Sequence, residues 1–184
     1  DSPDLIANAP LTSHRDLALN ASGTLLAVAD ANRVFVSNVV RPNSDERRVL
    51  LRLDGARVSS AVSFAGDDVL VTASGSTVAL WDLDQTNRLA RVSEIPIGTS
   101  CSACLGPSIS VSPDGESFAV QNGSDHSVTV GELDHADEVA VVGDDASFSS
   151  SLGLVVWGPD NRLVLPVSAP LGGSTIDVSG ISTG

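Results

Sequence analysis

Short apolar runs alternate with polar segments along nearly the whole chain. Each run is four to seven residues long, is rich in Val, Leu and Thr, and is bounded by Gly, Pro, Asn, Asp or Ser. Short runs of this composition between turn-forming residues are typical of β-strands rather than helices. The pattern therefore predicts an all-β protein built from many short strands.

Four turn segments recur at a nearly constant interval. They are NASG (20–23), AGDD (65–68), SPDG (112–115) and GPDN (158–161). Their last residues are separated by 45, 47 and 46 positions. A fixed period of this length indicates a repeat architecture in which each unit is one supersecondary structure. The chain is therefore predicted to contain four copies of one unit.

Two apolar runs follow each turn. The first runs are TLLAVAD, VLVTAS, SFAVQN and RLVLPVS, and the second runs are RVFVSNV, TVALWDL, SVTVGEL and TIDVSGI. The second runs align Trp81-Asp82 with Ser37-Asn38, Gly131-Glu132 and Ser179-Gly180. Because the connections are short and polar, the two runs of each unit are predicted to pair as a β-hairpin.

Further strand candidates lie between the units, at VLLRL (49–53), RLARVS (88–93) and EVAVV (138–142). Each unit is thus predicted to be four antiparallel strands within about 46 residues. This length is close to the period of a β-propeller blade, which is about 40–45 residues.

The sequence resembles the WD-repeat β-propeller family at these positions. The most specific elements are SPDG, a frequent turn between the first two strands of a blade, and the single Trp81-Asp82 at the end of a third strand. The chain departs from the family because three units lack Trp-Asp and the Gly-His dipeptide that usually opens a blade is missing. The hydrogen-bonded His–Ser/Thr–Asp–Trp arrangement of strong WD repeats is therefore not expected in any unit. The resemblance implies degenerate bacterial blades, with lactonase-like and periplasmic propeller repeats as near neighbours.

The repeat frame predicts a single domain, residues 1–184, with one blade in each period. The blades are placed at about 11–53, 54–94, 105–143 and 148–184, with residues 4–10 as the outer strand that closes the last blade. Such closure by a chain terminus hides sheet edges. Four blades form either a half propeller or a small closed ring. With only four Phe and two Trp, the chain favours closely stacked blades at a shallow angle, and therefore the half propeller.

The charge balance limits the choice of partners. There are 23 acidic residues and 10 basic ones, all of them Arg, for a net charge of −13. An acidic surface repels phosphate, so nucleic acid and anionic membranes are not expected to bind.

No apolar run approaches the ~20 residues of a membrane-spanning helix. The sequence has no Met, which favours a processed product or a fragment. A cytoplasmic location is expected, or an extracytoplasmic one if a signal or anchor was removed.

The two cysteines, Cys101 and Cys104, stand in the motif CSAC between the second and third units. A redox dithiol would open a helix after a strand, and a structural zinc site needs four ligands. The sequence offers neither. Two intervening residues in a loop permit a local disulfide, and two free thiols are the alternative.

The surrounding segment, residues 95–108, is the longest stretch without strand character, and it is rich in Gly, Pro and Ser. Loops on a rigid scaffold are where binding residues commonly lie. The sequence therefore marks Gly98, Thr99, Ser100 and Leu105 as a candidate partner-binding loop.

No catalytic constellation is visible. His14, His126 and His135 fall in predicted connections, and no Gly-x-Ser-x-Gly motif precedes a helix. Asp82 and Asp84 lack the Gly and the distal Glu of a calcium loop. The chain has no Lys for a phosphate loop. We therefore predict no catalytic residue, no metal and no cofactor.

The resemblance implies a non-enzymatic protein–protein interaction scaffold, part of a larger regulatory protein. One alternative is a propeller hydrolase or lactonase-like enzyme, which would need Asp, Glu, Asn or His at the starts of the inner strands, where Leu, Ser and Val predominate. A small-ligand sensor is the other alternative. The predicted partner is a protein. A second copy that completes an eight-blade ring, or the other half of a parent propeller, is expected to cover the apolar ends.

Overall fold

The computed structural model describes residues 15–30, 33–40, 49–52, 60–74, 77–83, 89–96, 108–121, 127–134, 139–142, 155–158, 162–169 and 172–177. The strands are β1 (Arg15–Leu19), β2 (Leu25–Asp30), β3 (Arg33–Asn38), β4 (Val49–Arg52), β5 (Ser60–Ala65), β6 (Val69–Ser74), β7 (Thr77–Leu83), β8 (Leu89–Pro96), β9 (Ser108–Val111), β10 (Ser117–Gln121), β11 (Val128–Glu132), β12 (Val139–Val142), β13 (Val156–Trp157), β14 (Arg162–Ala169) and β15 (Gly172–Asp177). Within these ranges no helix is long and apolar enough to cross a membrane.

The strands form four antiparallel sheets in chain order. The orders are β1-β2-β3-β4, β5-β6-β7-β8, β9-β10-β11-β12 and, with three strands in the described residues, β13-β14-β15. Each sheet is a meander whose first strand contacts the first strand of the next sheet. Together the sheets make an open partial propeller, which confirms the predicted all-β fold of antiparallel blades. The closing strand predicted at residues 4–10 lies outside the described residues, and the blade boundaries stay a prediction.

Strand pairing corrects one part of the predicted alignment. Trp81 pairs with Leu70 in the second sheet, and Ile176 pairs with Leu163 at the equivalent place in the fourth sheet. Ile176-Asp177 therefore replaces Ser179-Gly180 as the counterpart of Trp81-Asp82. The pairing of β14 with β15 also changes register between Leu165 and Ala169, where Pro166 lacks the N–H group that a ladder hydrogen bond requires.

The turns between first and second strands depend on backbone conformations that glycine adopts readily. Gly23, Gly66 and Gly115 have φ angles of 67°, 67° and 77°. A Cβ atom is unfavourable in this left-handed region. The chain can therefore reverse within a few residues and start the second strand beside the first.

The hydrophobic core lies between successive sheets. We call the side of a sheet that faces the preceding sheet its leading face, and the opposite side its trailing face. Trailing faces carry mainly small residues, and leading faces carry larger ones. At the first junction, Ala27, Ala29, Val34 and Val36 pack against Val62, Phe64, Leu70 and Leu83. At the second, Ala61, Val71, Ala73, Val78 and Leu80 pack against Ile109, Phe118 and Val120. At the third, Ala119, Val128 and Val130 pack against Val155 and Leu163. Small side chains opposite large ones let the sheets approach closely and interdigitate.

Candidate protein-interaction surface

One edge of the sheets gathers the turns after the first strands and the ends of the third strands. These parts meet because neighbouring strands are antiparallel. Backbone bonds join them: Val39 N–H donates to Thr24 O at 2.9 Å, Leu83 N–H to Asp68 O at 2.7 Å, and Leu133 N–H to Glu116 O at 2.8 Å. We call this surface the turn edge. It comprises residues 20–24, 38–40, 65–68, 82–83, 112–116 and 132–134.

Asn20 organises the turn of the first sheet. Its side chain is buried, at 5% exposure. Its Oδ1 atom accepts hydrogen bonds from the N–H groups of Thr24 and Leu25, both at 2.8 Å. Its Nδ2 atom donates to Ser22 Oγ at 3.1 Å and to the Asp67 carbonyl in the next sheet at 3.4 Å. One amide side chain thus closes its own turn and contacts the neighbouring turn.

Further hydrogen bonds connect the first two turns. Ala21 N–H donates to Gly66 O at 3.1 Å, and Ser22 N–H donates to the Asp67 carboxylate at 2.7 Å. Because these bonds join separate sheets, they fix one turn relative to the other.

Ser112 takes the place of Asn20 in the third sheet. It is also buried, at 5% exposure, and its Oγ atom accepts a hydrogen bond from Ser117 N–H at 2.9 Å. Its hydroxyl also bonds to Asp114, whose carboxylate accepts from Glu116 N–H at 3.0 Å. The third turn lies against the second, since a Cβ built on Gly115 would stand 3.7 Å from the backbone nitrogen of Gly66.

The turn edge of the second and third sheets is acidic. Its carboxylate side chains are Asp67, Asp68, Asp82, Asp114, Glu116, Glu132 and Asp134, and all except the half-buried Glu132 belong to exposed residues. In the described part of these two sheets, Arg91 is the one basic residue, and it pairs with Trp81, one position from the pair of Asp82 with Ala90. Basic groups on a partner would be attracted to such an edge.

Polar side chains also span the junctions between first strands. Asp16 Oδ2 accepts a hydrogen bond from Val62 N–H at 3.0 Å, and Ser108 Oγ accepts one from Val155 N–H at 3.2 Å. Burial raises the pKa of the Asp16 carboxyl above its usual value, and the hydrogen bonds from the N–H groups of Val62 and Leu17 partly oppose that rise. These contacts hold successive blades in fixed alignment.

Trp81 makes a contact that the sequence reasoning missed. Its Nε1–H donates to Thr72 Oγ1 at 2.9 Å, and Thr72 is buried in the neighbouring strand β6. The Thr72 hydroxyl in turn donates to Ala79 O at 3.4 Å. This is one link of the hydrogen-bonded arrangement of strong WD repeats. The available signal was a Thr nine positions before the Trp, on the adjacent strand.

Three groups of residues from the sequence analysis lie outside the described part of the chain. They are the predicted loop residues Gly98, Thr99, Ser100 and Leu105, the thiols Cys101 and Cys104, and the three His residues. The loop is connected to Pro96, which pairs with Thr77, and to Ser108, which pairs with Gln121. Both connections therefore leave from the edge opposite the turn edge.

Among the residues that are described, no group of three or more His, Cys, Asp or Glu side chains could hold a metal ion, and the expected absence of metal stays a prediction.

Solved structures with a similar fold are WD40 β-propellers. The β-propeller domain of Myceliophteria_thermophila Cps50 (Swd1) is 11% identical, with a TM-score of 0.59 over 83% of this chain and 47% of that chain. U3-55K is 16% identical, with a TM-score of 0.52 over 71% of this chain and 37% of that chain. The WD40 repeats of RRP9 are 15% identical, with a TM-score of 0.51 over 68% of this chain and 35% of that chain.

These similarities establish the class of fold, a β-propeller. The chain matches less than half the length of each of these structures. No protein-family model and no curated protein sequence matches the chain. The fold is therefore shown by structure alone.

Proposed function

We propose that this protein is a non-enzymatic scaffold that binds a protein partner through the turn edge. The observation that carries the proposal is the set of bonds between the first two turns, in which Asn20, Ala21 and Ser22 bond to Gly66 and Asp67. Turns fixed in this way lose little conformational freedom when a partner binds, and this lowers the entropic cost of association. Similarity to WD40 propellers supports the same class of function.

The charge of the turn edge defines the chemistry of the partner. Carboxylates of the second and third turns are exposed, and the whole chain carries a net charge of −13. A partner with Arg and Lys on its contact surface would associate faster at low ionic strength. The affinity is expected to fall as salt is added, because exposed charge pairs are screened.

Asp68 and Glu116 provide the test, because both belong to exposed residues and the turn's hydrogen bonds at these positions use their backbone atoms. The immobilised chain would be used to isolate a binding protein, and its affinity would then be measured by calorimetry with purified components. The double variant Asp68→Arg/Glu116→Arg should lose binding, and Asp68→Asn/Glu116→Gln should weaken it partly. Arg33→Glu, at the opposite edge, is the matched control and should leave the affinity unchanged.

Equal affinity for all variants would remove the turn edge from the interface and direct attention to the loop that contains Gly98 and Leu105. Turnover of esters or lactones by the purified chain would favour the hydrolase alternative, and saturable binding of a small molecule would favour the sensor. Membership of a larger regulatory protein and a cytoplasmic location remain part of this proposal.

A further inference from the structure

The leading face of the first sheet is exposed at positions that are buried in the other sheets. Leu17 is 61% exposed, whereas its equivalents Val62, Ile109 and Val155 are 3%, 7% and 2% exposed. Leu19 is 58% exposed, whereas its equivalent Phe64 is 9% exposed. The equivalents are buried because each faces the trailing face of a preceding sheet. Leu17 and Leu19 have the same orientation, and the described part of the chain places no such sheet in front of them.

The exposed leucines belong to a continuous apolar face. Leu17 pairs with Val28, which is itself buried at 7% exposure and pairs with Phe35 on the third strand, so the exposed part of this face is concentrated on the first strand. Leu19 pairs with Leu26 in the next row. Paired residues of adjacent strands point to the same side of a sheet, so these side chains together form the leading face.

The opposite end of the molecule has a matching face. Val156 and Val164 pair with each other and are 47% and 38% exposed. The equivalents of Val164 are Ala27, Val71 and Ala119, all of which are 0% exposed and belong to trailing faces covered by the next sheet. Among the described residues, no sheet covers the trailing face of the fourth sheet at Val156 and Val164, which makes this face a second exposed apolar surface.

We propose that these two faces bind each other between two copies of the chain. The leading face of the first sheet in one copy packs on the trailing face of the fourth sheet in the other, and the reverse contact closes the ring. The chain carries both halves of the junction that it already builds three times internally. Two copies supply eight sheets, which is within the usual range of propellers.

The internal junctions predict which residues meet. At the third junction, Trp157 N–H donates to Ser110 Oγ at 3.3 Å, and Trp157 Nε1–H donates to Ser110 O at 3.2 Å. Val156 occupies the position of Ser110, and Leu19 occupies the position of Trp157. Val156 of one copy is therefore placed beside Leu19 of the other. The junction between copies replaces the Ser hydroxyl by an apolar side chain, which suits association by burial of apolar surface.

Cysteine cross-linking tests this placement in a Cys101→Ser/Cys104→Ser background. The variants Leu19→Cys and Val156→Cys would be oxidised separately and after mixing. A covalent dimer should form in the mixture and not in either protein alone, because the junction joins unlike faces. Asp68→Cys mixed with Val156→Cys is the control and should give no dimer. The variant that carries both Leu19→Cys and Val156→Cys should give a covalent dimer, and an intramolecular disulfide at monomer mass would overturn the proposal in favour of a closed four-blade ring.

Sedimentation provides a second measurement that requires no cross-link. The wild type should sediment as a dimer of the 18.8 kDa chain. Leu17→Lys and Val164→Lys should each be monomeric with unchanged circular dichroism, and an equimolar mixture should regain a dimer through its one intact junction. A folded wild-type monomer at micromolar concentration would overturn the proposal. The readout is independent of the turn edge, so failure of one proposal is distinguishable from failure of the other.

Discussion

Asp16 in β1 accepts a hydrogen bond from the backbone N–H of Val62 in β5, at 3.0 Å, and so connects the first strands of two successive blades. At the third junction Ser108 makes the same contact with Val155, at 3.2 Å. At the second junction the equivalent position is the buried Ala61, which has no side-chain acceptor. At this position the first junction therefore uses a carboxylate, the third uses a hydroxyl, and the second has apolar packing alone.

The carboxylate of Asp16 should make stability depend on pH. Its pKa is raised by burial, so the folded state binds the proton more tightly than the unfolded state does. The stabilisation from this difference is fully present below the usual pKa of 3.8 and is lost as pH rises through the raised folded pKa. Asp16→Ser, which copies Ser108, removes the titration. Thermal melts between about pH 3.5 and pH 7 should show the wild type losing stability relative to Asp16→Ser as pH rises.

The comparison with Asp16→Ser at each pH isolates this carboxyl, because the two proteins differ at position 16 alone. A wild-type advantage over Asp16→Ser that grows with pH would contradict the assigned direction of the pKa shift.

The hydrogen bond from Trp81 Nε1–H to Thr72 Oγ1 should contribute about 1 kcal/mol to the stability of the second blade. Trp81→Phe removes the donor, and Thr72→Val removes the acceptor at nearly constant volume. Denaturant unfolding of both variants and of the double variant gives the coupling energy. We expect roughly 1 kcal/mol of coupling. Additive effects within about 0.3 kcal/mol would show that the two groups act independently.

The fold was predictable because local sequence and long-range packing agree. Turn segments such as 112–115 combine Pro, Asp and Gly in an order that favours chain reversal, and the runs after them alternate between two sheet faces. The position of β15 was not predictable in the same way. Ile176, three positions before the expected Ser179, pairs with Leu163, and a register change lies between Leu165 and Ala169. Pro166 lies in that interval and cannot donate a ladder hydrogen bond, so the sequence marked an irregularity there but not its size.

The candidate surface was less accessible from the sequence than the fold. Asn20 contacts Asp67, which is 47 positions away, and Asp67 also contacts Ser22, which is 45 positions away. These contacts become visible only when the neighbouring blades are brought together. Their turns were recognised, but the bonds between the turns were not. The open ends were predicted from the repeat count, and their residues, such as Leu17, became evident only by comparison with equivalent positions.

The thiols Cys101 and Cys104 should form a disulfide that contributes little to stability. Two intervening residues permit the short Cβ separation that a disulfide requires. A loop this small restricts the unfolded chain only slightly. Thermal melts with and without reductant should therefore nearly coincide. A large decrease of the melting temperature under reductant, or a metal found by elemental analysis, would contradict this prediction.

Asn20 should be more important for stability than its equivalent in the third turn, because it serves two blades. Asn20→Ala leaves the N–H groups of Thr24 and Leu25 without their side-chain acceptor and removes the contact with Asp67. We expect a loss of about 2–3 kcal/mol in the free energy of unfolding. Ser112→Ala removes the acceptor for Ser117 N–H and the hydroxyl's bond to Asp114, both within one turn, and it should lose about 1–2 kcal/mol.

Two further substitutions at position 20 separate the roles of the side chain. Asn20→Asp retains both acceptor bonds within the turn, but it cannot donate to Asp67 O and places a negative charge near the Asp67 carboxylate. Asn20→Ser provides one hydroxyl, as Ser112 does, and should be intermediate. If the contact between turns matters, Asn20→Asp will lose stability in urea unfolding at pH 7 and recover part of it as the new carboxyl is protonated. Equal stability of Asn20→Asp and wild type at pH 7 would show that Asn20 acts within its own turn alone, and the rigidity of the turn edge would then depend on the bond between Ala21 and Gly66.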